Sequence, residues 1–260
     1  MNPYISNELF HFFGRSCPDE HEANYDLLKR VLGRGCISHK PHDDNWGAVS
    51  YALDLSKRLA FEELIVPTVT CFCDIPFSSL PLHMEKYGLF GLSLSRHHLI
   101  KFGARPVIYV PTRPDDWSNS YGGGTALLTK LEATYRGLHS HLLPPKDPGV
   151  QAGIKPTQVP STSAEAARHL DRTLALDVLA FVKPYDASLD ENDPSYYYSE
   201  REWRKFGNMR FEPADVLQVV VHHQFVERAK VELPEYGERI IGVDLSKNDG
   251  NAAREIPVLP

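Results

Sequence analysis

Apolar positions along the chain change their period repeatedly, and those changes lay out the elements. Leu9-Phe10-His11-Phe12-Phe13 is a nearly all-apolar run closed by Gly14, which predicts a short buried strand with one histidine in its middle. After Pro18 the period becomes helical. Ala23, Leu27, Leu28, Val31 and Leu32 form the buried stripe, Asp19 and Glu22 supply a capping box, and Gly33 and Gly35 end the helix. Residues 38–50 are polar and read as a solvated loop. Tyr51 to Ile65 spreads Leu53, Leu55, Leu59 and Leu64 among charges and reads as helical. Val69 to Cys73 is a strand entering a turn at Pro76; a short helix from Ser79 follows and Gly88 stops it. Phe90 to Ser95 is the next strand, with Gly91 marking a bulge or the close approach of another backbone or a ligand. Arg96 to Phe102 is helical, and Pro106 to Val110, apolar throughout, reads as a central strand.

The pattern breaks after Pro111. Residues 111–124 carry the run Gly122-Gly123-Gly124, and residues 144–162 carry Pro144, Pro145, Pro148, Pro156 and Pro160. Between them Leu127, Leu128, Leu131, Tyr135, Leu138 and Leu142 keep helical spacing, so 111–162 reads as an inserted helix with flexible flanks. Thr162 and Glu165 open a further helix with Ala166, Leu170, Leu174 and Val178 inward, leading to a strand over Leu179 to Lys183 that Pro184 stops. Val216 to Val221 is a buried strand, Phe225 to Leu233 a short helix and Ile240 to Val243 a last small strand. No strand, glycine-rich loop and helix follow one another, which disfavours a doubly wound nucleotide fold. The expectation is a single α+β domain over 1–260, built of mixed, mostly antiparallel short strands with peripheral helices.

Tyr196-Tyr197-Tyr198-Ser199-Glu200-Arg201-Glu202-Trp203-Arg204 concentrates the charge and aromatic character of the chain. As a strand it would place Tyr198, Glu200, Glu202 and Arg204 on one face, with the carboxylates roughly 7 Å apart. Two readings fit. One is an edge strand with a salt-bridged polar face; the other is a site that grips a ribose hydroxyl and stabilises a cation.

Composition narrows the partners. The net charge of -6 argues against non-specific binding to a phosphate backbone, though not against a local basic groove. Four cysteines in 260 residues are too few for a secreted disulfide scaffold, and no apolar run is long enough for a membrane helix, so a cytoplasmic protein is expected. No metal site is expected. His39, His42, Asp43 and Asp44 match no standard ligand spacing, and Cys71 with Cys73 makes two ligands without a second pair.

Several blocks together resemble the AbiGi family of bacterial abortive-infection proteins: Ser6-Asn7-Glu8-Leu9-Phe10-His11-Phe12, Cys71-Phe72-Cys73-Asp74-Ile75-Pro76 with His83, Tyr87-Gly88 with Phe90-Gly91-Leu92, Pro106 to Val110, and Tyr198 with Glu200-Arg201-Glu202-Trp203-Arg204. The resemblance runs from residue 6 to about residue 222, excepting 111–162. It implies the antitoxin half of a two-gene phage-defence system, and so a partner protein. The order of elements also resembles the ADP-ribosyltransferase fold. That resemblance implies NAD as cofactor and a protein or nucleic acid as acceptor. It casts His11 as the residue holding the NAD ribose, Tyr87 or Phe90 as the aromatic stacking on nicotinamide, and Glu202 as the catalytic glutamate with Glu200 orienting the acceptor. Ser93 and Ser95 stand loosely where those enzymes carry a serine-threonine-serine element. Arg201 or Arg204 would meet the pyrophosphate, or pair with Glu200 and Glu202.

These readings predict different chemistry. A transferase needs a carboxylate beside an oxocarbenium-like ribose. A catalytically silent antitoxin needs only a surface for its partner. A metal-dependent hydrolase needs a ligand cluster that the spacing does not supply.

Overall fold

The computed structural model describes residues 7–38, 50–112, 123–141, 162–190, 193 and 195–245. In chain order the strands and helices are β1 (Glu8–Phe13), α1 (His21–Arg34), β2 (Cys36–Ile37), β3 (Tyr51–Leu53), β4 (Ile65–Pro67), β5 (Val69–Cys73), α2 (Leu80–Tyr87), β6 (Phe90–Ser95), α3 (Arg96–Lys101), β7 (Arg105–Pro106), β8 (Ile108–Thr112), α4 (Gly124–His141), α5 (Ser163–Thr173), β9 (Val182–Asp186), β10 (Glu202–Phe206), β11 (Met209–Arg210), β12 (Val216–His222), α6 (Val226–Glu232) and β13 (Ile240–Val243). The mixed, mostly antiparallel arrangement agrees with the expected α+β class. The chain divides into two units, Met1–Gly47 with Val69–Pro106 and Ser199–Pro260, and Ala48–Thr68 with Val107–Tyr198.

The first unit is built on a seven-stranded sheet in the order β13-β12-β6-β1-β5-β10-β7. Every pairing in it is antiparallel except β12 with β13. One face of the sheet buries Leu9, Phe13, Phe72, Leu92 and Val219 with Leu28, Val31 and Leu32 of α1. The other buries Phe10, Cys73 and Val220 with Leu80 and Met84 of α2. Both faces are covered, which explains why β1, β6 and β12 read as continuous apolar runs instead of alternating. Gly88 turns the chain from α2 back to the sheet at φ 120°, where a Cβ would stand 1.9 Å from the Phe13 carbonyl oxygen. Gly91 admits β1 closely, since a Cβ there would lie 2.7 Å from the His11 carbonyl oxygen.

The second unit pairs β3 with β4 antiparallel and β8 with β9 parallel. Leu59, Leu64, Ile65, Val110, Leu128, Tyr135, Leu179 and Val182 form its core. Glu132 of α4, though buried, is well satisfied: it accepts from the Leu59 backbone N–H at 2.8 Å and from Arg58 and Arg136. The helix expected inside 111–162 is α4, buried through Leu128, Tyr135 and Leu138. Most of its flanks, residues 113–122 and 142–161, lie outside the described residues, as does most of the loop expected at 38–50 with His39, His42, Asp43 and Asp44.

Several expectations are corrected. Tyr51 to Ile65 is a β-hairpin interrupted by a 3-10 turn over Leu59–Phe61; Leu59 and Leu64 are buried while Leu55 is exposed, a pattern without helical phase. Pro106 to Val110 is not one central strand. β7 lies at the edge of the large sheet, while β8 belongs to the second unit and leaves Ile108 54% exposed. Pro184 does not stop β9; it sits opposite Val110 in a two-strand ribbon, where a missing N–H costs no ladder bond on the open edge. Leu170 is exposed, and a π turn over Leu174–Val178 resets the phase so that Ala175 and Leu176 are buried instead.

Candidate functional site

Strand register fixes which side chains share a face. Phe10 pairs with Cys73, and Cys73 pairs with Glu202. With a period of two, Phe10, Cys73, Glu202 and Arg204 therefore lie on the α2 face of the sheet, and His11, Phe72 and Trp203 on the α1 face. Ring contacts agree: His11 stands 4.9 Å from Phe13 and 5.6 Å from Phe72.

The stretch around the two glutamates is not a continuous strand. A 3-10 turn covers Tyr197–Glu200, Arg201 adopts φ 43°, and the strand begins at Glu202. The left-handed residue swings Glu200 toward α2. There its buried carboxylate takes a 2.6 Å ion pair from Lys86 and a hydrogen bond from the Tyr87 hydroxyl. Lys86 and Tyr87 are the last residues of α2, ahead of the Gly88 turn, so helix length and that turn together aim both donors. His83, one turn earlier, lies against the rings of Phe12 at 5.1 Å and Tyr87 at 4.5 Å. Burial lowers its pKa to about 4, against an opposing pull from Glu200, so the imidazole is neutral near pH 7. The Arg15 guanidinium lies 5.0 Å over the Tyr87 ring.

Glu202 is buried too and accepts from the Arg204 Nε at 2.7 Å. Arg201 departs from the expected pairing with the glutamates. Its Nε donates to the Asp74 carbonyl at 2.7 Å, and its Nη2 lies 3.6 Å from the Asp74 carboxylate. That carboxylate is held at 2.7 Å by Arg96, whose guanidinium lies 5.3 Å over Trp203. Sequence reasoning missed Lys86, Asp74 and Arg96 as members of these clusters. The available signal was Asp74 inside the Cys-Phe-Cys-Asp-Ile-Pro block, next to a residue that pairs with Glu202.

His11 Nδ1 donates to the Cys71 carbonyl at 2.7 Å. β1 and β5 pair at Phe10 and Cys73, and beyond that point the imidazole takes the carbonyl that the ladder leaves. Burial pushes its pKa below the usual range, against the opposing effect of that bond. Phe90 is fully buried, 5.7 Å from Tyr25 and 5.0 Å from Phe225. Ser93 is fully buried and donates its Oγ to Glu8 at 2.6 Å; burial raises the Glu8 pKa and the Ser93 bond partly offsets that. The fold thus joins Tyr87 to Glu200 and Glu202 to Arg204. It directs His11 and Phe90 to the other face. Cys73 is buried and Cys71 exposed. Among the described residues no group of three or more His, Cys, Asp or Glu is placed to hold a metal ion.

A sequence model of the family described as "Putative abortive phage resistance protein AbiGi, antitoxin" matches residues 47–241. The chain belongs to the AbiGi family. The AbiGi match takes in both clusters at Glu200 and Glu202, the Asp74 block and α2, and it begins after β1, so His11 lies outside it. Neither the curated proteins nor the solved structures contain a match to this AbiGi chain. None of its described helices is long and apolar enough to cross a membrane.

Proposed function

We propose that this chain acts in the cytoplasm as the antitoxin of a two-gene phage-defence system, by binding its partner toxin without catalysing a reaction of its own. The observation that carries the reading is membership of a family described as an abortive phage resistance antitoxin. The chemistry of the glutamates supports it. Glu200 is tied to Lys86 and Tyr87, and Glu202 to Arg204, so each carboxylate arrives already neutralised by its own chain. A carboxylate that stabilises a developing cation works best facing the substrate, and these face internal cations. The ADP-ribosyltransferase reading asks for more. It needs His11 and Glu202 to reach one NAD molecule, and the register turns them to opposite faces of the sheet.

The test is co-expression with the product of the neighbouring gene. The partner alone should arrest growth, and this chain should restore it and co-purify with it, equally well as wild type and as Glu202→Gln. The reading fails if the chain neither binds nor neutralises the partner. It also fails if purified protein releases nicotinamide from NAD, with protein or nucleic acid as acceptor, and Glu202→Gln abolishes the release.

A further inference from the structure

The β8–β9 ribbon has two unlike faces. Val110 and Val182 point into the core of the second unit. The pairs Tyr109 with Lys183 and Pro111 with Tyr185 point the other way. Tyr196 and Tyr198, arriving from the loop after β9, complete a tyrosine cluster there. Tyr198 stacks on Tyr185 at 5.0 Å and 26° and meets Tyr109 edge-on at 5.3 Å, and Tyr196 meets Tyr185 edge-on at 5.8 Å. Tyr198 is 48% exposed, and the other three are half-buried. Four tyrosine rings gathered on a face turned away from the core are not needed to fill it. Broad rings with little rotamer freedom and a polar tip are the side chains that carry binding energy at protein interfaces.

The loop that joins Tyr185 to Tyr196 determines the sign of the partner. Among its described residues that loop holds Asp186, Asp190 and Asp193 and no cation. Two of these carboxylates are fixed by short turns: Asp186 accepts from the Ser188 N–H at 2.8 Å and hydroxyl at 2.6 Å, and Asp193 from the Ser195 N–H at 2.7 Å. The Ser188 bonds hold the Asp186 carboxyl below its ordinary pKa, so it stays charged. Lys183 illustrates what such a surface accepts, since its ammonium stands 4.9 Å over the Tyr197 ring. A nucleic acid would find rings to stack on but would meet repulsion between its phosphates and the Asp186 and Asp193 carboxylates.

We propose that this tyrosine face with its acidic loop is the surface that docks a cationic segment of the partner protein, taking arginine or lysine side chains over Tyr198 and between the loop carboxylates. The proposal rests on the partner-binding reading above and adds the surface and the chemistry it recognises.

The experiment titrates the purified full chain with a short fluorescein-labelled peptide alternating arginine and serine. The same peptide with glutamate for arginine and a labelled oligothymidine serve as the other arms. Only the arginine peptide should bind saturably, and its affinity should fall as salt rises. Tyr198→Ala should weaken it by about threefold to tenfold, while Tyr198→Phe, which keeps the ring, should retain it. Asp190→Asn with Asp193→Asn should weaken it while preserving the turns. Tyr198 is exposed, so loss of folding does not confuse the result. Equal binding by Tyr198→Ala and wild type, absence of arginine-peptide binding, or preference for the oligonucleotide each overturns the proposal. The same variants tested against the neighbouring gene product separate the two readings. Tight binding unaffected by them leaves the antitoxin role standing and removes this surface from it.

Discussion

His11 and Glu202 point to opposite faces of one sheet, because Phe10 and not His11 shares a register position with Cys73, the partner of Glu202. A slip of one residue between β1 and β5 would turn His11 to the face of the glutamates. The hydrophobic pattern forbids that slip, since it would bring the α1-facing Leu9 and Phe13 out of the larger core. The histidine in the middle of β1 is therefore held by packing and by the Cys71 carbonyl.

His11→Ala should accordingly behave as a stability variant. It removes the hydrogen bond to the Cys71 carbonyl and the ring contacts to Phe13 and Phe72, an expected loss of about 1–2 kcal/mol by urea denaturation. Calorimetric titration with NAD should give the same baseline for the variant and for wild type. A saturable NAD signal in wild type that disappears in a well-folded His11→Ala protein contradicts this account.

Much of this fold was legible. β6, β12 and α1 declared themselves because each buries a long apolar set; Gly91 left a bulge or a close approach open, and the structure shows the approach, by the β1 backbone. The errors have a common physical source in local pattern that tertiary context overrides. Leu170 kept helical phase with Leu174 in sequence, but the π turn broke that phase. Ile108 looked as buried as Val110 and shares its face of the ribbon, yet it stands at the first position of β8 and stays 54% exposed. At the candidate site, the nearness of Glu200 and Glu202 in sequence suggested a shared role. Arg201, with its left-handed backbone, sends each to a different cation, and Lys86, more than a hundred residues away, carries no local sign of that pairing.

The turn at Gly88 gives a direct test of the frame behind Tyr87 and Lys86. Gly88→Ala sets a Cβ against the Phe13 carbonyl and imposes an unfavourable φ, so it should cost about 2–3 kcal/mol. Gly33→Ala is the control. It lies inside α1 with open space around the added carbon and should stabilise the protein by about 0.5–1 kcal/mol. Thermal melts of the two variants should move in opposite directions.

Lys86 and Glu200 should show measurable coupling. Their side chains are 21% and 9% exposed, so the pair is only partly screened and removal of either partner leaves a desolvated charge. A double-mutant cycle with Lys86→Met and Glu200→Gln should return a coupling of about 1–3 kcal/mol. Tyr87→Phe should cost about 1 kcal/mol through the lost hydrogen bond to Glu200. A coupling near zero would place this pair among ordinary surface ion pairs.

His83 gives the site a pH dependence whose sign follows from its burial. Its pKa falls to about 4 in the folded protein, with burial the largest cause, Glu200 opposing it and Lys86 adding to it. In the unfolded chain an ordinary histidine takes up its proton near pH 6.5. Between those two values the unfolded state holds more protons than the folded one, so stability rises with pH across the window. The contribution is complete above about pH 6.5 and is lost as pH falls toward 4, at roughly 1 kcal/mol per pH unit. His11 and His222 are shifted in the same direction, so the slope of wild type alone does not isolate His83. The difference between wild type and His83→Gln does. Urea denaturation at intervals from pH 7 to pH 4 should show the variant losing less stability on acidification than wild type, with the gap opening below pH 6.5. Parallel curves would mean that the imidazole is solvated and takes up its proton without penalty, and that the Phe12 and Tyr87 rings do not enclose it.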